Sequence, residues 1–303
     1  VYCLHHGKLP KADQDLHKAV AEEGPGGSIA NVYVTPVDLD QKKALDAVPE
    51  PVKAIWKAHA GKSPARYVVM APWGAELLVG DLDLAAARAI VESPVRSEIG
   101  RKFDEGHGVV LLLVNGKEAQ ENARIETACR AVMAKAEAGR LFDEPRPDSG
   151  SIPPERPEEA GIQAVPDNPQ PNLRIGLVQL DRANAGEQWL LKMLTAMAPD
   201  LEKSAHEPML FAIYGRGRAM PPGIGQEVNA ESLTELLRFL ADRCSCTIKD
   251  QNPGLDLLMR WDWESTAERF AAEERVGMQA PLYAEVSADP AAEGPPPNVA
   301  QPP

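Results

Sequence analysis

The chain has 303 residues, 44% of them hydrophobic and 25% charged, which is the make-up of a folded globular protein with room for two ordinary domains. Acids outnumber bases 45 to 32, and the net charge of −13 opposes a phosphate backbone, so nucleic acid is not expected as a partner. The longest apolar run, Val109–Val114, is far short of the roughly 20 residues that span a bilayer, and 4 cysteines are too few for a disulfide scaffold.

Val1-Tyr2-Cys3-Leu4 opens the chain directly in a strand-like run, so a segment upstream, with room for a targeting signal, is expected. A helix follows around 12–20, with Leu16, Ala19 and Val20 on one face. The β-branched stretch 30–39 predicts a strand, and 41–59 a helix interrupted near Pro49 and Pro51. Strands are expected at 66–71 and 76–79 around the turn Pro72-Trp73-Gly74, then helix over 85–91 and again from Pro94 to Phe103. The order is βαβαββα.

That order repeats. Residues 107–114 predict a strand and 121–138 a helix. The stretch 143–172 is crowded with proline, glycine and acid and reads as an exposed insert of little regular structure. A strand at 173–180 and a helix at 186–197 come next, the latter with Trp189, Leu190, Met193, Leu194 and Met197 at helical spacing. Pro208 precedes a strand at 209–214, a second strand ends near Val228, and Asn229–Ser232 cap a helix running to about Asp242. The expected division is a first domain over 1–105, a second over 106–264 containing the insert 143–172, and an extension over 265–303 ending in the proline-rich GPPPNVAQPP.

βαβαββα with a proline just before the third strand resembles the thioredoxin fold, and both halves carry it. Residues 1–264 resemble a group of bacterial proteins with two tandem thioredoxin-like domains. The resemblance is carried by ESPVRSEIGRKF, by the turn Tyr214-Gly215-Arg216-Gly217-Arg218, and by CSCTIKDQNPGLDLL. It implies an α/β fold with Pro64 and Pro208 as the family's cis-prolines, and no reaction. Active thioredoxins place Cys-x-x-Cys between the first strand and the next helix, where the helix N-terminus stabilises a thiolate. This chain has Leu4-His5-His6-Gly7-Lys8-Leu9-Pro10 there in the first domain and Asn115-Gly116-Lys117-Glu118-Ala119-Gln120 in the second. Thioredoxin-type exchange at those positions is therefore excluded.

Cys244 and Cys246 follow the last helix of the second domain, where the helix dipole is negative and disfavours a thiolate. Adjacent side chains in an extended Cys-x-Cys also diverge, which makes a disulfide between them awkward. A structural role, a soft-metal site and a redox couple all remain open for this pair, with Met209, Met220 and Met259 as donors that more often fill a core. His5 and His6 point to opposite faces of a strand and make poor joint ligands. Gly61-Lys62-Ser63 fails as a phosphate loop because Trp56 stands where such a loop requires glycine. Arg216 and Arg218 put two guanidiniums on a tight turn, suited to a hairpin or to an anionic partner. No residue pattern calls for a cofactor. The expectation is a non-catalytic binding or scaffold protein of the bacterial cell envelope with a protein partner; the alternative is a thiol redox or metal-handling protein using Cys244 and Cys246.

Overall fold

A computed structural model describes residues 1–24, 27–59, 66–141, 173–241 and 253–275. The first half contains β1 (Tyr2–His5), α1 (Lys11–Ala21), β2 (Ile29–Ala30), β3 (Thr35–Asp38), α2 (Glu50–His59), β4 (Tyr67–Met70), β5 (Glu76–Gly80), α3 (Leu84–Ala89) and α4 (Pro94–Asp104). Its sheet has the order β3-β1-β4-β5: β1 runs parallel to β3, and β1–β4 and β4–β5 are antiparallel. The strand expected over 30–39 is divided into β2 and β3, and only β3 joins this sheet.

The second half contains β6 (Val109–Val114), α5 (Ala119–Glu137), β7 (Ile175–Leu180), α6 (Gln188–Thr195), β8 (Met209–Tyr214), β9 (Arg218–Ala219), β10 (Gly223–Ile224) and α7 (Ala230–Ala241). Its strands run β7-β6-β8-β9, with β6 parallel to β7 and antiparallel to β8, so the pairing pattern of the first sheet recurs. The strand expected to run on to Val228 is split into β9 and β10, because Pro221 and Pro222 between them have no N–H to give a ladder.

β6 explains its own sequence. All six residues of VVLLLV are buried, since β7 and β8 flank the strand and both faces are covered. Alternation sends Val110, Leu112 and Val114 into one cluster and Val109, Leu111 and Leu113 into another. The first of these clusters also holds Cys3, Leu16, Tyr67 and Ile99, so one core runs through both halves.

The sequence leads one to expect the segment Thr247–Trp263 against the second domain, with Leu255, Leu257, Leu258 and Trp261 burying apolar area; its described part, 253–263, reaches both halves. β11 (Leu255–Asp256) adds to the edge of the second sheet beside β9, and β12 (Arg260–Trp261) pairs with β2 in the first half. Leu257, Leu258 and Met259 between them are buried, whereas Leu255 and Trp261 are half-buried. α8 (Trp263–Arg275) then folds back on α4, with the Phe103 and Trp263 rings 5.6 Å apart and the Thr266 hydroxyl donating to Asp104 at 2.6 Å. Polar contacts join the halves as well: Trp73 Nε1 donates to the Ala196 carbonyl at 3.0 Å and the Val95 N–H to Glu187 Oε1 at 2.8 Å.

Candidate functional site

The ends of β1 and β6, where strand passes into helix, are the places to examine. After β1 the chain turns through Gly7, which holds a left-handed φ of 63°. The His5 ring donates from Nδ1 to the Gly7 carbonyl at 2.9 Å, and the Gly7 N–H donates to Asp38 Oδ1 at 3.1 Å. His6 pairs instead with Asp40 at 2.7 Å. The two histidines therefore serve separate partners, in line with their opposed directions.

Behind this turn lies a polar network that no short motif announces. Asp13, buried on the first turn of α1, pairs with Arg66 and accepts the Tyr67 hydroxyl at 2.7 Å. That hydroxyl lies 3.4 Å from His17 Nε2, with the two rings edge to face. Burial raises the Tyr67 phenol far above its ordinary range, and its hydrogen bond to Asp13 adds to this. Burial likewise raises the Cys3 thiol and lowers the His17 imidazole. Phenol and thiol stay protonated and the imidazole stays neutral, so the network holds protons in place and offers no activated nucleophile. Asp13 was the legible hint: it shares the spacing of Leu16 and Val20 on the buried stripe of α1.

At the end of β6 the turn is closed by the Asn122 side chain and by the main chain of the loop before β8. The Gly116 N–H donates to Asn122 Oδ1 at 2.8 Å and the Lys117 N–H to the His206 carbonyl at 2.9 Å. A Cβ at Gly116 would collide with the backbone of Glu207 and Pro208, so this position demands glycine. Arg182 bridges the two loops, donating from Nε to the Asn115 carbonyl at 2.9 Å and from Nη2 to the Glu207 carbonyl at 3.3 Å.

Pro208 immediately precedes β8 as expected, but no peptide bond among the described residues is cis, which corrects the expected cis form there. Trans is the lower-energy isomer, and the Pro208 carbonyl is satisfied in it by the Gly225 N–H at 2.9 Å. Pro64, Cys244 and Cys246 lie outside the described residues. Arg218 is not held ready for a partner: it donates to the carbonyls of Pro253 and Gly254 and pairs with Asp256 at 2.9 Å. Its neighbour Arg216 is exposed on the turn. Cys3 and Cys129 are free thiols buried in the two cores, and burial pushes Cys129 up to about 12. Met209 and Met259 are fully buried and Met220 packs partly buried beside a core. No group of three or more His, Cys, Asp or Glu side chains able to hold a metal occurs among the described residues.

No family model, curated protein or solved structure matches this chain. Among the described residues, no helix is long and apolar enough to cross a membrane.

Proposed function

We propose that this chain is a non-catalytic protein-binding scaffold built from two thioredoxin-like units, residues 1–105 and 106–264, working in the bacterial cell envelope. The recurrence of one strand order and one pairing pattern in the two sheets supports the thioredoxin-like reading. The location rests on the sequence resemblance alone. The observation that carries the scaffold reading is the pair of strand-to-helix turns. Where such a unit would hold its attacking thiol, one turn is His5–Pro10 and the other Asn115–Glu118, closed by Gly116 against Pro208. Disulfide exchange needs an exposed thiolate with a second thiol in reach. Cys3 and Cys129 are buried in different cores and satisfy neither condition.

The second reading is a thiol redox or metal-handling protein that uses Cys244 and Cys246. Their Cys-x-Cys spacing is what favours it. Insulin reduction by dithiothreitol, run with catalytic amounts of the full chain, separates the two. The scaffold reading expects no acceleration over the uncatalysed rate. Turnover that disappears when both cysteines are replaced by serine would replace it with the redox reading.

A further inference from the structure

The outer edge of the first sheet carries an open cavity of about 360 Å³, within the range that small ligands and side chains occupy. It forms where β1 and β3 end together, His5 opposite Asp38, and where the chain after β3 wraps back along the edge through the 3₁₀ turn Ala44–Ala47. His5, Thr35, Asp38 and Gln41 supply its polar lining, and Ala44, Ala47 and Val48 part of an apolar one.

Strand addition at this edge is disfavoured. Thr35 and Leu39 donate their N–H groups inward to β1, so by alternation Pro36 and Asp38 face outward, and Pro36 has no N–H to offer. A side chain suits the cavity better than a strand. The charged group of its lining is the Asp38 carboxylate, which only accepts. His5 Nδ1 donates to the Gly7 carbonyl, so that nitrogen is already engaged. Asp38 Oδ1 is occupied by the N–H groups of Gly7 and Asp40, whereas Oδ2 accepts, among the described residues, from Gln41 at 3.2 Å. Those N–H bonds, the one from Asp40 first, hold the Asp38 carboxyl below its ordinary range and therefore ionised.

We propose that this cavity receives a lysine or arginine side chain of a protein partner, with its alkyl stem along Ala44, Ala47 and Val48 and its charged head on Asp38. The proposal rests on the protein-binding reading above and names the chemistry of the partner. A long basic side chain is the group that combines an apolar stem with a multi-donor cation. The net charge of −13 favours approach of a basic partner over an acidic one. Lys42 and Lys43, exposed on the adjoining turn, oppose a cation there, so the attraction has to come from Asp38 at contact distance.

The test is an NMR titration of the full chain with acetyl-Gly-Lys-Gly-amide, following the His5 ring and the amides of Asp38, Ala44, Ala47 and Val48. Saturable shifts confined to these groups are expected. Asp38→Asn should weaken binding by about tenfold or more. Ala47→Leu, which fills the cavity from an exposed position and keeps the carboxylate, should do the same without altering the circular dichroism spectrum. Equal shifts with the norleucine peptide would overturn the proposal, because the carboxylate would then be idle. So would shifts spread over the acidic surface that persist in Asp38→Asn. Binding of n-butylamine without binding of the peptide would reassign the site to a free amine. Zinc ion held at His5 and Asp38 and not displaced by the peptide would reassign it to a metal. Absence of any shift removes this site and leaves the scaffold reading standing, whereas turnover of insulin removes the scaffold reading and leaves these titrations unchanged.

Discussion

Cys129 lies on α5 against Leu111 and Ile175, and burial holds its thiol near 12, so at neutral pH almost none of it is thiolate. Cys3 is raised for the same reason. Native protein treated with iodoacetamide at pH 7.5 should leave both unmodified, and both should react once denaturant is added; mass spectrometry reads the difference. His17 gives a pH signature of definite sign. Burial lowers its pKa from the ordinary 6.5, so in the pH range just below 6.5 the unfolded chain takes up a proton that the folded chain refuses. Stability contributed here is complete above 6.5 and is lost as pH falls toward the folded value. Around the ring, Asp13 opposes the shift, while His5 and Arg66 add to it. His107 is lowered by burial too and contributes in the same direction. Urea midpoints should therefore fall between pH 7 and 5.5, and His17→Gln should flatten part of that slope. An unchanged slope in the variant would remove His17 from the account.

α4 shows how one element is specified several times over. Ser93 accepts the Arg96 N–H as N-cap, Pro94 takes the first turn where its missing N–H costs nothing, and buried Glu187 accepts the Val95 N–H. Gly100 in its middle looks like a weak point, since glycine costs about 1 kcal/mol against alanine in a helix interior. The structure reverses that expectation, because the Trp261 ring of β12 fills the place where a Cβ would stand. Gly100→Ala should accordingly destabilise by about 1–3 kcal/mol in chemical denaturation, the usual cost of overpacking. Pairing it with Trp261→Leu should recover part of the loss; if the single variant is stabilised instead, the ring is not seated as described. Arg260, next to that tryptophan, donates to the carbonyls of Ala19 and Val20 at the end of α1 and pairs with Glu92. A cation placed there also complements the helix dipole.

Arg96 and Glu187 tie the whole molecule together. Arg96 is 2% exposed, and its guanidinium donates to the carbonyls of Leu258 at 2.7 Å and Ile90 at 2.8 Å. Burial lowers its pKa to about 10, which still leaves it charged at neutral pH, and the charge of Glu187 partly restores it. Glu187 comes from the second half and is 0% exposed; its Oε2 has no hydrogen-bond partner among the described residues. Removing the arginine would leave two buried carbonyls without their donors. Arg96→Met should cost about 2–6 kcal/mol in chemical denaturation, roughly 1–3 kcal/mol for each buried carbonyl left unsatisfied. The wild-type chain should unfold in one transition, with tryptophan fluorescence and far-ultraviolet dichroism coincident in urea. Two separated transitions would show the halves to be independent despite the shared core.

Element types were written locally. The unbroken apolar run of β6, the leucine stripe of α7 and the Ser93-Pro94 start of α4 each satisfy a rule that needs only neighbours a few residues away. The repeated order of strands and helices was legible for the same reason, as was the missing Cys-x-x-Cys. What tertiary structure decided is everything that joins distant positions. Asp13 meets Arg66 and Tyr67 over more than fifty residues, Arg96 meets Leu258 over 162, and Asn31 meets Met259 over 228. Arg218 carries the same lesson: by sequence it is a guanidinium on a turn, and only the return of residues 253–256 shows what it holds. Local propensity fixes a residue's backbone, whereas burial and charge pairing depend on which surfaces the fold brings together, and nearest neighbours carry no record of that.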